Sequence, residues 1–179
     1  MLLACIRKMI WWNCWAGCEM VIIYLPLATL YGQALRREGS KQMSEELRER
    51  MDRFVEFINS ADETIGVEVI SPSATFHVPF LPEPVQGPSG YLKIIGIMRQ
   101  AFPDVQWSLE ETIIEGNTVA ARFILRGTHQ GDFLGVPATG KPIQAQAMNV
   151  YRFTNGQITE EHGLPDLFGL MMQIRPIDA

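Results

Sequence analysis

The sequence predicts an α+β fold, helices first and an antiparallel meander of strands afterwards. Three observations carry that prediction. Apolar residues recur at helical spacing along Leu47, Met51, Phe54, Val55 and Ile58, and again along Leu92, Ile95, Ile97 and Met98. After Pro103 the period changes to two, with Val105, Trp107, Leu109 and Glu111 alternating against Gln106, Ser108 and Glu110. Turn residues at Glu115-Gly116-Asn117 and Thr154-Asn155-Gly156 then split the alternating stretch into hairpins.

Taken in order, Ser44 with Glu45 and Glu46 behind it predicts the start of the first helix, an end that suits the helix dipole. Residues 61–69 predict a short second helix, stopped by a turn at Ser71-Pro72-Ser73. Residues 74–79 read as a short strand, and a Pro- and Gly-rich loop follows through Gly87-Pro88. Residues 90–102 read as a third helix. Beyond it, residues 118–130 alternate with Val119, Ala121, Phe123 and Leu125 on one face and Arg122 and Arg126 on the other. Strands are expected at 142–153 and 157–164, and a closing helical turn at 166–174. Such an order leaves the helices to cover one face of the sheet.

Composition limits what the chain can do. A chain of 179 residues with 47% hydrophobic and 20% charged residues is globular and can bury a single core. A net charge of −5 with no basic stripe argues against a nucleic-acid surface. All three cysteines (Cys5, Cys14 and Cys18) and three of the four tryptophans fall within the first 18 residues. Residues 43–179 therefore hold neither a disulfide nor a thiolate metal site, and fold on their core alone.

Residues 1–42 are a separate problem. The run from Met9 to Tyr31 is apolar for about the length of a bilayer, flanked by Arg7, Lys8, Arg36 and Arg37, yet it contains Asn13 and Glu19. Three readings stand: an extension without function upstream of a start at Met43, a membrane anchor or signal, or a helix packed on the domain. The expected organisation is an apolar extension over 1–42 and one domain over 43–179. The expected location is cytoplasmic, with membrane contact only if residues 9–31 are an anchor.

Several stretches resemble the SnoaL-like polyketide cyclases and ester cyclases of the nuclear-transport-factor-like superfamily. The most specific runs from Gly127-Thr128-His129-Gln130-Gly131-Asp132-Phe133 to Gly140-Lys141, followed by Tyr151-Arg152-Phe153-Thr154-Asn155-Gly156-Gln157-Ile158 and Pro165-Asp166. Gly87-Pro88 and Ala101-Phe102-Pro103-Asp104 are weaker matches. The resemblance implies a cone-shaped, curved antiparallel sheet wrapped by about three N-terminal helices and enclosing a pocket. It also implies no metal or organic cofactor, and frequent homodimers through the sheet. In the best-known members an aspartate takes a proton beside a carbonyl, and an intramolecular aldol reaction closes a ring. Alignment through Arg152 and Asn155-Gly156 puts Gly163 at that aspartate's position, Asn149 at an assisting histidine and Ala147 at a glutamine. The usual acid is missing, so the resemblance carries the fold further than the reaction.

The remaining candidates for proton transfer are Asp166, His129, Glu161 and His162. Asp166 follows Pro165 and serves equally as a helix N-cap. Glu161 shares strand parity with Gly163 and could turn inward in its place, while Glu160 would face water. His129 is either a base or a structural histidine at a strand end, and His162 either a base or a wall residue. Phe76, His77, Tyr91, Trp107, Phe133 and Asn149 are candidates for the pocket wall, with Phe80 and Met148 as further core or lining residues. The ligand expected of such a wall is a small apolar polycyclic, terpenoid or aromatic molecule. Two functions follow, a cofactor-free cyclase, isomerase or lyase acting on a carbonyl compound, or a binding protein for a hydrophobic metabolite. Hydrolysis of an epoxide or ester would need an inward arginine, and Arg122 and Arg126 point away.

Overall fold

The structure, a computed structural model, describes residues 21–175. The chain divides into Met1–Gly39 and Ser40–Ala179, and the second unit holds the sheet and the cavity. Helix α1 runs over Val21–Ser60, so the helix start expected at Ser44 is not one. Leu, Ala, Gln, Arg, Glu and Lys dominate residues 33–49, and nothing in that composition stops a helix. Leu47, Met51, Phe54, Phe57 and Ile58 are its buried face, with Val55 half-buried. The cysteines and most of the Met9–Tyr31 run lie outside the described residues. No helix among the described residues is long and apolar enough to cross a membrane.

Helix α2 (Glu63–Val69) starts at Asp62, whose side chain accepts from the Thr64 amide at 2.8 Å. Strand β1 (Ile70–His77) begins at once, so Ser71-Pro72-Ser73 is no turn. It forms an irregularity inside the strand, between Ile70 and Thr75, where Pro72 donates no ladder bond. After β2 (Val85–Gln86), α3 (Gly87–Ala101) opens on Gly87-Pro88, with the proline in the first turn. Tyr91, Ile94, Ile95 and Met98 are buried. Leu92 and Ile97, expected among them, are half-buried at the edges of that stripe.

Strands β3 (Gln106–Glu115), β4 (Thr118–Thr128), β5 (Pro142–Thr154) and β6 (Gln157–Pro165) form the meander, and α4 (Leu167–Ile174) follows. The six strands lie in the order β2-β1-β6-β5-β4-β3 in one open sheet. All neighbours are antiparallel except β1 and β6, which run parallel, so the sheet is mixed. The helices and the inner face of the sheet share a single apolar core.

Two bulges reset which residues face that core. In β3 the register shifts between Leu109 and Glu111. Glu111 thereby turns outward to pair with Arg122, instead of sharing a face with Trp107 as strict alternation would have it. In β6, Phe153 faces Ile158 but Arg152 faces Glu160, so Thr159 is an extra residue. Ile158 and Glu161 are consequently both buried, three apart, whereas an unbroken strand would have buried Glu160.

The loop between β4 and β5 is fixed by close approach to the end of α3. The Gln130 and Gly131 amides both donate to the Ala101 carbonyl, at 2.9 and 3.0 Å. A Cβ on Gly131 would stand 2.0 Å from the Gln100 carbonyl oxygen, so only glycine fits. Asp104 accepts from the Thr128 amide and hydroxyl, both at 2.7 Å.

Candidate active site

Period-two alternation along β5 turns Ala145, Ala147, Asn149 and Tyr151 toward the helices. Opposite them on β6 stand Glu161, Gly163 and Pro165. The small alanines leave space, and the space is a cavity of about 70 Å³. Tyr91, Met98 and Ile58 close it from the helices, Trp107 and Phe123 from the sheet, and Leu167 and Leu170 from α4. Val78 and Phe80 reach it from the segment after β1.

In this apolar wall sits one buried acid. Glu161 is 1% exposed, and its Oε1 accepts from Asn149 Nδ2 at 2.7 Å. The same amide nitrogen donates to the Tyr151 hydroxyl at 3.0 Å. Oε2 has no hydrogen-bond partner. Burial pushes the carboxyl up to about 8, because the charged form loses its water. The Tyr151 and Tyr91 hydroxyls and Asn149 pull the other way, less strongly. Both phenols are in turn pushed well above their ordinary value, first by burial and then by the nearby carboxylate, and so remain protonated donors. A carboxylate made more basic by burial, beside neutral donors in a largely apolar cavity, is equipped when ionised to take a proton from carbon and hold the resulting charge.

Gly163 explains the room for this side chain. A Cβ built there would lie 3.3 Å from Glu161 Oε1 and 3.4 Å from Val78. The carboxyl of residue 161 thus occupies the space into which a side chain at 163 would grow.

Of the other candidates, Tyr91, Trp107, Asn149 and Asp166 line the cavity. Asp166 is also the N-cap of α4, accepting from the Gly169 amide at 2.8 Å. Phe76 is fully buried but packs edge-on against Tyr91 at 4.7 Å, behind the cavity wall rather than in it. His129 and Phe133 belong to a separate cluster with Phe102, at 5.3 and 5.2 Å, because the strand has ended before them and the loop carries them under α3. His129 Nδ1 bonds Thr139 Oγ1 at 3.0 Å, and its other nitrogen is unpartnered. His77 and His162 are paired residues on the outer face, away from Glu161, since each neighbours an inward residue in its strand. Met148 is 48% exposed, also outward, between the inward Ala147 and Asn149. Tyr151 lines the cavity too, a residue the sequence reading does not single out. Its parity with Ala147 and Asn149 was the available signal.

An open sheet packed on helices around an acid-bearing apolar cavity defines a small-molecule pocket protein of the cyclase type. The profile of the family described as SnoaL-like polyketide cyclase matches residues 46–174, and the chain belongs to that family. Among its relatives, it is 30% identical over 129 residues to the aklanonic acid methyl ester cyclase DnrD of Streptomyces peucetius, covering 68% of this chain and 86% of that one. It is 27% identical over 118 residues to the nogalonic acid methyl ester cyclase of Streptomyces nogalater, covering 65% and 84%. Among solved structures, wild-type IdmH from Streptomyces antibioticus superposes with a TM-score of 0.64 at 28% identity, over 71% of this chain and 96% of that one.

Proposed function

We propose that the chain catalyses ring closure of a polyketide ester by intramolecular aldol addition, with Glu161 as the proton carrier in place of the family's aspartate. The observation that supports this is the Glu161 carboxyl itself: buried, bonded by Asn149, and filling the space left by Gly163. Ionised Glu161 takes a proton from the carbon beside a carbonyl. The enolate then forms the new carbon–carbon bond to a second carbonyl, and the alkoxide takes the proton back from Glu161. Atoms and electrons balance without an added reagent. The Tyr151 and Tyr91 hydroxyls, kept protonated beside Glu161, turn to the enolate oxygen once the carboxylate has taken its proton.

The cavity as it stands is smaller than the ~300 Å³ or more typical of sites for drug-sized ligands. A multi-ring substrate would enter by displacing its outermost walls, α4 and the segment after β1. Asp166, tied to the Gly169 amide, holds α4 at that mouth, and in this reading it positions the wall instead of moving protons. A cytoplasmic location belongs to the same reading, and fractionation of cells making the full chain checks it.

Aklanonic acid methyl ester is the substrate to offer first. Glu161→Gln should lower turnover by about 100-fold or more, the ordinary scale of acid–base catalysis, while ligand affinity stays within a few-fold. Full turnover in Glu161→Gln would overturn the assignment. Tight binding with no turnover by the unaltered chain would leave a binding protein instead.

A further inference from the structure

The outer face of β6 carries a second cluster that the cavity does not use. His77 and His162 are direct neighbours across the parallel β1–β6 pairing, and their rings stack at 4.6 Å with an interplanar angle of 9°. Glu160 lies on the same face, one step along β6, with Oε1 2.9 Å from His162 Nε2. One ligand atom from each of the three residues falls within 4.8 Å of the others. Arg152 bonds the other carboxylate oxygen at 3.0 Å, which fixes the orientation of Glu160 and leaves Oε1 turned toward the histidines. Beside them the His77–Pro84 segment and the end of β6 border a surface groove lined by both histidines.

We propose that His77, His162 and Glu160 form a binding site for a divalent transition-metal ion such as Zn²⁺, Ni²⁺ or Cu²⁺. Two imidazoles and one carboxylate suit such ions, and they leave coordination positions open to water or to a ligand in the groove. The present spacing is slightly wide, since ligands sharing one ion at 2.0–2.1 Å stand about 3.3 Å apart. His162 is 54% exposed in its side chain, so rotation of its ring closes the distance at little cost. Arg152 keeps its hold on Oε2 while Oε1 turns to the ion, the usual arrangement for a ligating carboxylate. The ion would clamp the one parallel pairing of the sheet. It lies on the far side of that sheet from Glu161, so its role is structural or ligand-binding and not part of the ring closure.

The test uses the full chain with Cys5→Ser, Cys14→Ser and Cys18→Ser, which removes the thiolates as competing ligands. Calorimetric titration with Zn²⁺ alone at pH 7.5 should give one ion per chain, with a dissociation constant below about 100 μM. His77→Ala and His162→Ala should each weaken binding about tenfold or more, and Glu160→Gln by less. The variants' melting temperatures without metal should match the parent, because the residues are surface-facing, and only the parent's should rise with Zn²⁺. Absence of saturable binding of Zn²⁺, Ni²⁺ and Cu²⁺, or binding unchanged in the His77→Ala, His162→Ala double variant, overturns the site.

Discussion

At the scale of single residues, Glu161 governs how the domain responds to pH. The folded carboxyl keeps its proton up to about 8, whereas the group's ordinary value is 4.5. Between those values the folded state holds more protons than the unfolded chain, so stability falls as pH rises through this window. The group's contribution is fully present below about pH 4.5 and gone above about pH 8, a total on the order of a few kcal/mol. Asp62, Asp104 and Glu160 are shifted downward by their hydrogen bonds, so they act at lower pH and leave the window clear. Urea denaturation at pH 5, 6.5 and 8 should show the wild type weakening while Glu161→Gln stays level. If Glu161 is the base, kcat/KM should climb over the same range with an inflection near 8. Gly163→Ala gives a second check. Its Cβ crowds a movable carboxyl, so stability should change by only about 1 kcal/mol while turnover falls about tenfold or more through misplacement of the base.

Single elements account for the sequence features that looked most like chemistry. The stretch from Gly127 to Lys141 is a packing device. Its Gln130 and Gly131 amides satisfy a carbonyl at the end of α3, and Asp104 holds Thr128 in return. Gly131→Ala would drive a Cβ into the Gln100 carbonyl, so the variant should lose about 3 kcal/mol or more, or fail to fold, as read by thermal melts. Element types and the α+β order were legible in the sequence, because hydrophobic period and turn pairs report local structure directly. At the hairpin, Asn155 and Gly156 both take positive φ, 52° and 75°, as the residue types foretold. The facing of β6 was legible only in part. Inward placement of Glu161 came from its parity with Gly163, while the bulge at Thr159 that produces it has no signature in a run of polar residues. His77, His129 and His162 were equally opaque, since a histidine suits a core, a rim or an outer face. The parallel β1–β6 pairing is a long-range contact, which no local period encodes.

For the whole molecule, the outer face of the sheet needs an explanation. Ile113, Met148, Val150 and Leu164 are 40–68% exposed there, and Val150 lies beside both Ala120 and His162. An oppositely charged pair, Arg122 with Glu111, flanks them. A face carrying both signs around an apolar centre is complementary to a second copy of itself across a two-fold axis. We propose that the domain forms a homodimer through this face. Light scattering should give twice the chain mass at micromolar concentration, and Val150→Glu with Leu164→Glu should return it to one. A monomer in the unaltered protein would refute the dimer.

The bulge in β6 also says where this protein can change length. Thr159 is a spare residue: removing it would leave Ile158 and Glu161 on their present side, separated by one outward residue as in a plain strand. Removing or adding one residue between Glu161 and Pro165 would invert everything beyond the change and break the match of Glu161 with Gly163. Among natural variants of this domain, single-residue gaps should therefore collect at 159 and be missing from 161–165.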